Sequence, residues 1–369
     1  MKIIDVEPIP LAPRWLFVKV TTDEGLVGWG ESLGDRALTI ATAITELKRY
    51  LLGKDPFRIE YHWQAMYRGA FWRGGPILNA AISGVDIALW DILGKSLNAP
   101  VWQLLGGKCR EKIRFYTGVG GSTPADVAAS ALKATERGFT AIKWCPVPAT
   151  PPLAGIAGPK AAAAQVEAVR KAVGDGVDIM LDFHGRLSPA MAVVYARAVE
   201  PYGPMFIEEP VLPEHSEEIP RIAQMTSIPI ATGERLFTKY GFRPVLEAGG
   251  LGMIQPDLSI CGGISEGRKI AAMADAYGVG VGPHDPYGPI LTAASLQLDA
   301  CCPNFVIQEH VSLGEGIFRR PFTQKDGYVS VPEGPGLGIE VDESAVRQRR
   351  YEPHDVPLLT IEDGSIADW

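Results

Sequence analysis

Three motifs decide the fold: LDFHGR at residues 181–186, FIEEP at residues 206–210 and ATGER at residues 231–235. Each motif closes a short apolar run with an acidic residue, namely Asp182, Glu208 or Glu234. Glu208 follows Asp182 by 26 residues, and Glu234 follows Glu208 by 26 residues. One strand, one helix and two loops of a repeated βα unit fill such an interval. We therefore predict three consecutive parallel strands whose carboxyl ends bring the three carboxylates to one point.

The same alternation of apolar runs and helical segments extends in both directions from these motifs. We predict eight strands, near residues 113–119, 141–146, 178–184, 205–210, 228–234, 253–257, 278–284 and 305–310. Near-continuous apolar strands separated by helices predict an α/β fold, a (β/α)7β barrel of the TIM type. In such barrels the active site lies at the carboxyl ends of the strands. A loop rich in Pro, Gly and Ala at 146–160 is expected either to cover this site or to be a disordered insertion.

A smaller domain precedes the barrel. Residues 1–33 alternate like antiparallel strands, with a turn at 23–25, and helical spacing follows over 36–52, from Pro56, and over 77–97. We therefore expect three parts. They are a small α+β domain over residues 1–110, the barrel over 111–315, and a C-terminal segment over 316–369 that returns to the first domain.

Charge and composition exclude several classes of function. The formal net charge of −8 argues against nucleic acid or an anionic membrane as a partner. No uninterrupted apolar run reaches the ~18 residues of a membrane span. The five cysteines include no CxxC pair, so a reduced, cytoplasmic setting is expected.

The three acidic residues predict a metal site. A single Asp or Glu at a strand end is more often a helix cap or an ion-pair partner. Three of them in register would repel one another strongly without a cation. Ligation by carboxylate oxygens alone suits Mg²⁺, which keeps its other positions for water or substrate oxygens. We therefore predict Mg²⁺ bound by Asp182, Glu208 and Glu234.

Two histidines and two further acids are expected near the metal. His184 lies two residues after Asp182 and shares its face of the strand. His284 ends the seventh strand beside Asp257 on the sixth, where a carboxylate would fix the imidazole tautomer and raise its basicity. Glu309 ends the eighth strand, and if protonated it could donate a hydrogen bond to a developing oxyanion.

One type of reaction uses this whole set of groups. A carboxylate substrate binds the metal, a base removes the proton α to the carboxylate, and the metal and Glu309 stabilise the enediolate. Histidines on two sides then allow either return of a proton to the α-carbon, which is racemisation, or protonation of a departing β-hydroxyl, which is dehydration. The residues alone leave both outcomes open.

Along nearly its whole length the chain resembles the enolase superfamily, mandelate-racemase subgroup, and within it the D-galactonate dehydratases. The motifs that carry the resemblance are PRWLF at 13–17, MYR at 66–68, RGGPIL at 73–78, LDFHGR at 181–186, FIEEPVL at 206–212, GER at 233–235, QPDLS at 255–259 and GGI at 262–264. The resemblance implies the same three Mg²⁺ ligands. It further implies His284, supported by Asp257, as the base that takes the C2 proton, His184 as the acid for the 3-hydroxyl, and Glu309 as the stabiliser of the transition state.

In such enzymes the N-terminal domain caps the barrel mouth and helps to select the substrate. Candidate substrate contacts are Arg14, Trp15, Tyr67, Arg73 and Lys143. Ordinary packing between domains is the alternative for the four that precede the barrel. Many relatives carry a Lys-x-Lys pair on the second strand, whereas here the run is Lys143-Trp144-Cys145, which argues against a lysine-based racemase.

The resemblance implies a hydro-lyase that converts an acid sugar, D-galactonate first, into a 2-keto-3-deoxy sugar acid. Gluconate, mannonate and arabinonate are alternative substrates. A racemase or cycloisomerase that uses the same histidines is a second possibility, and a non-catalytic binder of sugar acids is a third. The resemblance also implies that the protein forms a homo-oligomer. Its expected binding partner is the substrate, a small-molecule sugar acid.

Overall fold

The computed structural model describes residues 1–369. The chain begins with an antiparallel sheet of three strands in the order β1-β2-β3, at Ile3–Leu11, Trp15–Thr22 and Val27–Ser32. Four helices follow, at Ala37–Leu51 (α1), Ile59–Arg68 (α2), Gly75–Ser96 (α3) and Val101–Leu104 (α4). The strands and first three helices of the predicted α+β domain are therefore present.

Helix α3 is the core helix of this first domain. It packs closely on β3, where a Cβ on Gly30 would lie 1.9 Å from the Gly84 carbonyl oxygen, so that only glycine permits the approach. By length and composition alone α3 could cross a membrane, but 78% of its most apolar window is buried inside the protein. The expected helix start at Pro56 is wrong, because the Asp55 side chain accepts a hydrogen bond from the Phe57 N–H and forms a turn before α2 begins.

Eight parallel strands form the barrel. They are β4 to β11, at Lys112–Gly118, Ala141–Trp144, Asp178–Asp182, Phe206–Glu208, Ile230–Thr232, Leu251–Ile254, Gly280–Val281 and Gln308–His310. The helices α5 to α11 connect them, at Pro124–Glu136, Ala157–Val173, Pro189–Val199, Ile219–Ala223, Thr238–Ala248, Gly263–Ala276 and Pro289–Cys301. Successive strands pair from β4 to β10, β11 pairs with β4, and a bridge between Val281 and Phe305 closes the ring. The predicted (β/α)7β barrel is confirmed.

Burial explains why these short runs become strands. In β6 the side chains of Ile179, Met180 and Leu181 are completely buried, although they point alternately into the barrel and toward the helices. Both faces of a parallel barrel strand are covered, so the strand is apolar without alternation. Asp182, at the carboxyl end of β6, follows this buried run where it reaches the cavity.

The C-terminal part divides between the two domains, which corrects the expectation that all of residues 316–369 returns to the first domain. A hairpin of Gln324–Lys325 (β12) and Tyr328–Ser330 (β13) pairs with the start of β4 in the barrel. The short helix Glu343–Gln348 (α12) does return, since Glu343 pairs with Lys19 at 2.7 Å. A last hairpin joins Leu359–Thr360 (β14) to Ile366–Ala367 (β15).

Candidate metal and active site

The three predicted metal ligands meet at the carboxyl ends of β6, β7 and β8. Asp182 and Glu208 are paired residues of neighbouring strands, and Glu234 lies two residues beyond β8. One carboxylate oxygen from each residue lies within 4.8 Å of the other two. A donor set of hard, closely spaced oxygens fits a divalent cation such as Mg²⁺.

Lys143, at the third position of β5, lies inside this acidic cluster. Its Nζ is 2.8 Å from both carboxylate oxygens of Glu208, 3.1 Å from Glu309 Oε1 and 3.5 Å from Asp182 Oδ2. Burial lowers the pKa of Lys143, but Glu208 and Glu309 outweigh burial and raise the pKa well above its ordinary value. Lys143 is therefore charged.

One ammonium group does not neutralise this many carboxylates. Burial and the neighbouring charge of Asp182 raise the pKa of Glu208 well above its ordinary value. A surplus of negative charge at short range favours any added cation. The negative charge of the cluster, like its donor atoms, therefore fits a bound metal.

His284 and Asp257 form a hydrogen-bonded pair on the opposite wall. His284 Nδ1 lies 2.9 Å from Asp257 Oδ2, and Asp257 Oδ1 accepts hydrogen bonds from both the N–H and the hydroxyl of Ser259. His284 Nε2 faces the acidic cluster, 3.4 Å from Glu234 Oε2. Burial lowers the pKa of His284, but Glu234 and Asp257 outweigh it and raise the pKa to about 10. Asp257 therefore orients a basic imidazole toward the cluster.

His184 lies beside the metal ligands, just beyond β6. Its Nε2 is 2.9 Å from Asp182 Oδ2, and its backbone N–H donates to Asp182 Oδ1. Burial lowers the pKa of His184, but the bond to Asp182 and the adjacent Cys145 outweigh it and raise the pKa to about 10. Since β6 is the third and β10 the seventh of eight strands, His184 and His284 lie on opposite sides of the barrel.

Glu309 occupies the expected position on the last strand of the barrel, beside Lys143. Its Oε1 pairs with Lys143, and its Oε2 accepts a hydrogen bond from the Asp285 N–H at 2.9 Å. Burial raises the pKa of Glu309, but Lys143 and His284 outweigh it and lower the pKa below its usual value. In this arrangement Glu309 accepts hydrogen bonds, and the Lys143 ammonium is the donor beside it.

A cavity of about 990 Å³ joins these groups at the barrel mouth. The predicted site residues that line it are Arg14, Lys143, Asp182, His184, Glu234, His284 and Glu309. Glu208 and Asp257 are completely buried behind this lining.

Three predicted substrate contacts do not reach the cavity. Trp15 begins β2 and turns inward, where its ring stacks on Phe17 with centroids 5.6 Å apart. Tyr67 and Arg73 line a separate cavity of about 110 Å³ in the first domain. The Tyr67 ring packs on Trp63, one turn earlier on α2, with ring centroids 4.9 Å apart. Trp15 and Tyr67 therefore pack within the first domain, and Arg73 is exposed beside the Tyr67 ring.

The loop at 146–160 is partly helical and does not line the cavity. Helix α6 begins within it at Ala157. Two side chains that follow β6 hold the rest of the loop by hydrogen bonds. Arg186 Nη1 donates to the Val147 carbonyl at 2.6 Å, and the Ser188 hydroxyl donates to the Pro152 carbonyl at 2.6 Å. The expectation that this loop covers the site is therefore wrong, and the cavity is covered from elsewhere.

Several residues of the site were not predicted from the sequence. Asp35 lines the cavity and pairs with Arg14 at 3.5 Å, while the Tyr287 hydroxyl donates to Asp35. Asp368 and Trp369 reach the cavity from the last residues of the chain. Asp35 lies in a short turn and Trp369 in a polar stretch, so neither belongs to a periodic pattern that would have indicated its position.

This fold and site define a class of enzyme: an α/β barrel with a cluster of acidic metal ligands between two histidines. Comparison with known families agrees. The family model "Mandelate racemase / muconate lactonizing enzyme, N-terminal domain" matches residues 12–106, and "Enolase C-terminal domain-like" matches residues 126–345. The chain belongs to the mandelate racemase and muconate lactonizing enzyme group of the enolase superfamily.

Individual relatives extend over the whole chain. A D-galactonate dehydratase of Cronobacter sakazakii is 47% identical over 382 aligned residues that cover 100% of both chains. A mandelate racemase/muconate lactonizing enzyme structure from a Sulfitobacter species is 36% identical, with a TM-score of 0.91 over 95% of this chain and 96% of its own. An enolase superfamily member from Salmonella Typhimurium is also 36% identical, with a TM-score of 0.89 over 95% and 98% of the two chains.

Proposed function

We propose that this protein is a Mg²⁺-dependent hydro-lyase that dehydrates an acid sugar, with D-galactonate as the first candidate substrate. The product is a 2-keto-3-deoxy sugar acid. The observation that carries the proposal is the placement of two imidazoles on opposite sides of one acidic cluster. The full-length similarity to a D-galactonate dehydratase supports both the reaction and the candidate substrate.

Asp182, Glu208 and Glu234 would hold the metal. When bound, Mg²⁺ supplies the positive charge that makes the proton α to a carboxylate easier to remove. Lys143 contributes N–H donors and a second positive charge beside the same carboxylates. Because burial strengthens charge interactions, these groups act most strongly on substrate charge that develops close to them inside the cavity.

Proton abstraction is assigned to His284. Its Nδ1–H donates to Asp257 and its Nε2 faces the cavity. A cation bound by Glu234 would offset the carboxylate charge that raises the pKa of His284, and the neutral imidazole then takes the proton from C2 through Nε2. Asp257 stabilises the imidazolium that forms, since it is completely buried and held in place by Ser259. The electron pair of the C2–H bond enters the substrate as an enediolate.

Loss of the hydroxyl is assigned to His184. It gives a proton to the oxygen at C3 while the C3–O bond breaks, so that the hydroxyl leaves as water. The remaining enol takes a proton at C3 and becomes the 2-keto acid. Overall, the substrate loses one water molecule, and both imidazoles return to their starting states by proton exchange with solvent.

We further propose that residues 1–110 select the substrate and residues 111–315 carry the chemistry. Arg14 supports this division, because it reaches the cavity from the first domain and lies against the Tyr287 ring of the barrel, 4.7 Å from the ring centroid. The guanidinium is placed to bind the oxygens of the substrate end remote from the metal.

The test is a panel of aldonates incubated with the purified protein and Mg²⁺, with a colour assay for 2-keto-3-deoxy acids. D-galactonate is expected to be consumed, and the His284→Gln protein is the matched inactive control. Exchange of the C2 hydrogen for deuterium without loss of water would instead support a racemase. If no aldonate is dehydrated, the proposal is wrong.

A further inference from the structure

The C-terminal segment, residues 351–369, is attached to the rest of the protein in an unusual way. The backbone of Arg350 is still tied to the first domain, because its carbonyl accepts a hydrogen bond from the Ala12 N–H at 3.0 Å. Beyond Arg350 every hydrogen bond is internal to the segment: the β14–β15 pairing, a turn from Ile361 to Ser365, and contacts of Ser365 with Asp363. Leu358 is 72% exposed, so the middle of the segment contributes little burial.

The end of the same segment lies at the catalytic site. Val356, Asp368 and Trp369 line the cavity. The Trp369 indole stacks on the His184 imidazole, with ring centroids 5.2 Å apart and planes inclined by 15°. A segment with few attachments elsewhere therefore makes a specific aromatic contact with the group assigned to hydroxyl departure.

His184 has few other constraints on the plane of its ring. One ring nitrogen, Nε2, is bonded to Asp182, while the buried Nδ1 makes no hydrogen bond of normal geometry and the ring has only the Cys145 thiol as a further polar neighbour. A single hydrogen bond fixes a direction but leaves rotation about it. The backbone at His184 is in the left-handed region, with φ of +51°, so it does not share the regular geometry of β6. A stacked aromatic ring supplies the missing constraint.

We propose that Trp369 is a positioning residue for His184, and that residues 351–369 close the cavity on the side where the substrate hydroxyl departs. This inference rests on the proposed dehydratase function. It adds a residue that acts on one half of the reaction only, since His284 and Asp257 lie across the barrel. Proton abstraction and hydroxyl loss are therefore separable by substitution at one position.

The experiment compares Trp369→Ala, Trp369→Phe and the control Leu358→Ala, which truncates an exposed side chain of the same segment. Dehydration is measured together with deuterium entry at C2 of the remaining substrate in D₂O. Trp369→Ala is expected to slow dehydration about 100-fold, the order of loss for a misplaced catalytic group, and to leave proton abstraction nearly unchanged. Deuterium should then accumulate at C2, because abstraction is reversed before the hydroxyl leaves.

The Trp369→Phe protein keeps a stacking ring and is expected to retain most of the dehydration rate, as is the Leu358→Ala protein. Equal losses of dehydration and exchange in Trp369→Ala would show a merely structural role and overturn the proposal. Unchanged dehydration in that variant would overturn it as well.

A second measurement does not depend on turnover. The His184 ring signal in an NMR spectrum, assigned by its absence from the His184→Asn protein, should be displaced by the ring current of the indole. The displacement should vanish in Trp369→Ala and persist in Leu358→Ala. If it is absent from the parent protein, the stacking contact does not exist in solution. A protein that shows the displacement but dehydrates no aldonate would contradict the proposed function, not the contact.

Discussion

At the scale of single residues, the site gives similar side chains different tasks through their neighbours. His284 bonds through Nδ1 to a buried carboxylate and presents Nε2 to the cavity, whereas His184 bonds through Nε2 to a metal ligand. The first arrangement aims Nε2 of an oriented imidazole at the cavity. The second places the imidazole against a metal ligand, so that binding of a metal would change how readily His184 gives up its proton.

We predict that His284→Gln removes both dehydration and exchange of the C2 hydrogen. The loss should be about 10³-fold, because the glutamine amide offers no base for the proton. Asp257→Asn should cost about 10- to 100-fold, since Nδ1–H would lose its charged acceptor while Nε2 keeps its position. Both rates can be followed in D₂O by NMR.

His215→Gln is the control for these variants, because His215 is exposed and does not line the cavity. It should keep full activity. C2 exchange that survives in His284→Gln would assign proton abstraction to another group and contradict the mechanism.

At the scale of elements, one contact joins the two domains next to the site. Glu31, on β3, reaches the start of α11, where it accepts a hydrogen bond from the Leu291 N–H at 2.8 Å. The amino terminus of a helix favours a negative charge. Complete burial opposes that charge, and it outweighs the backbone hydrogen bonds to raise the pKa of Glu31 to about 8.

This pKa predicts how stability depends on pH. Between the ordinary value of 4.5 and the folded value of about 8, the folded protein binds more protons at Glu31 than the unfolded chain does. The free energy of unfolding therefore decreases as pH rises through this range, by at most about 1.4 kcal/mol per pH unit from this group. Glu31→Gln should flatten the decrease, as measured by urea unfolding at pH 5 and pH 8.

Glu46→Gln, which alters an acid on the exposed surface of α1, should leave the pH dependence of the parent protein intact. If Glu31→Gln shows the same slope as the parent, the carboxyl group is already ionised in the folded protein at pH 5, and burial does not dominate its pKa.

The elements also show which features a sequence can predict. The eight barrel strands were predictable because both faces are buried, so that each strand is an apolar run that ends in a polar residue. A strand at Tyr328–Val331 was predictable as well, but its domain was not, because these residues fit either domain by composition and only the pairing with β4 decides. The strand β10 has just two residues, so its extent depends on closure of the ring and not on its own sequence.

At the scale of the whole molecule, the cavity has walls from three parts of the chain. Arg14 and Asp35 come from the first domain, the metal ligands and histidines from the barrel rim, and Trp369 from the C-terminal segment. The spacing of acids along the barrel predicted the second group. The first and third groups depend on how distant segments dock, for which the sequence provides no period. Of their residues, Arg14 was predicted, whereas Asp35 and Trp369 were missed and the predicted Trp15 does not line the cavity.

The acidic cluster links the stability of the whole molecule to the metal. A ligand that binds only the folded protein raises the free energy of unfolding, by about 2.7 kcal/mol at a concentration 100 times its dissociation constant. The unfolded chain separates the three ligands and loses the site. We predict that EDTA lowers the thermal unfolding midpoint and that excess Mg²⁺ restores it.

Glu208→Gln isolates this effect, because the amide removes one charge from the buried centre of the cluster without changing its size. The variant should lose most of the Mg²⁺-dependent rise in the midpoint, whereas Glu217→Gln, which changes an exposed acid outside the cavity, should keep it. A rise of equal size in Glu208→Gln would place the cation elsewhere. Lys143 contacts both oxygens of Glu208, so the parent protein itself tests whether that ammonium alone balances the charge of the cluster. If it does, Mg²⁺ will not change the unfolding midpoint of the parent protein.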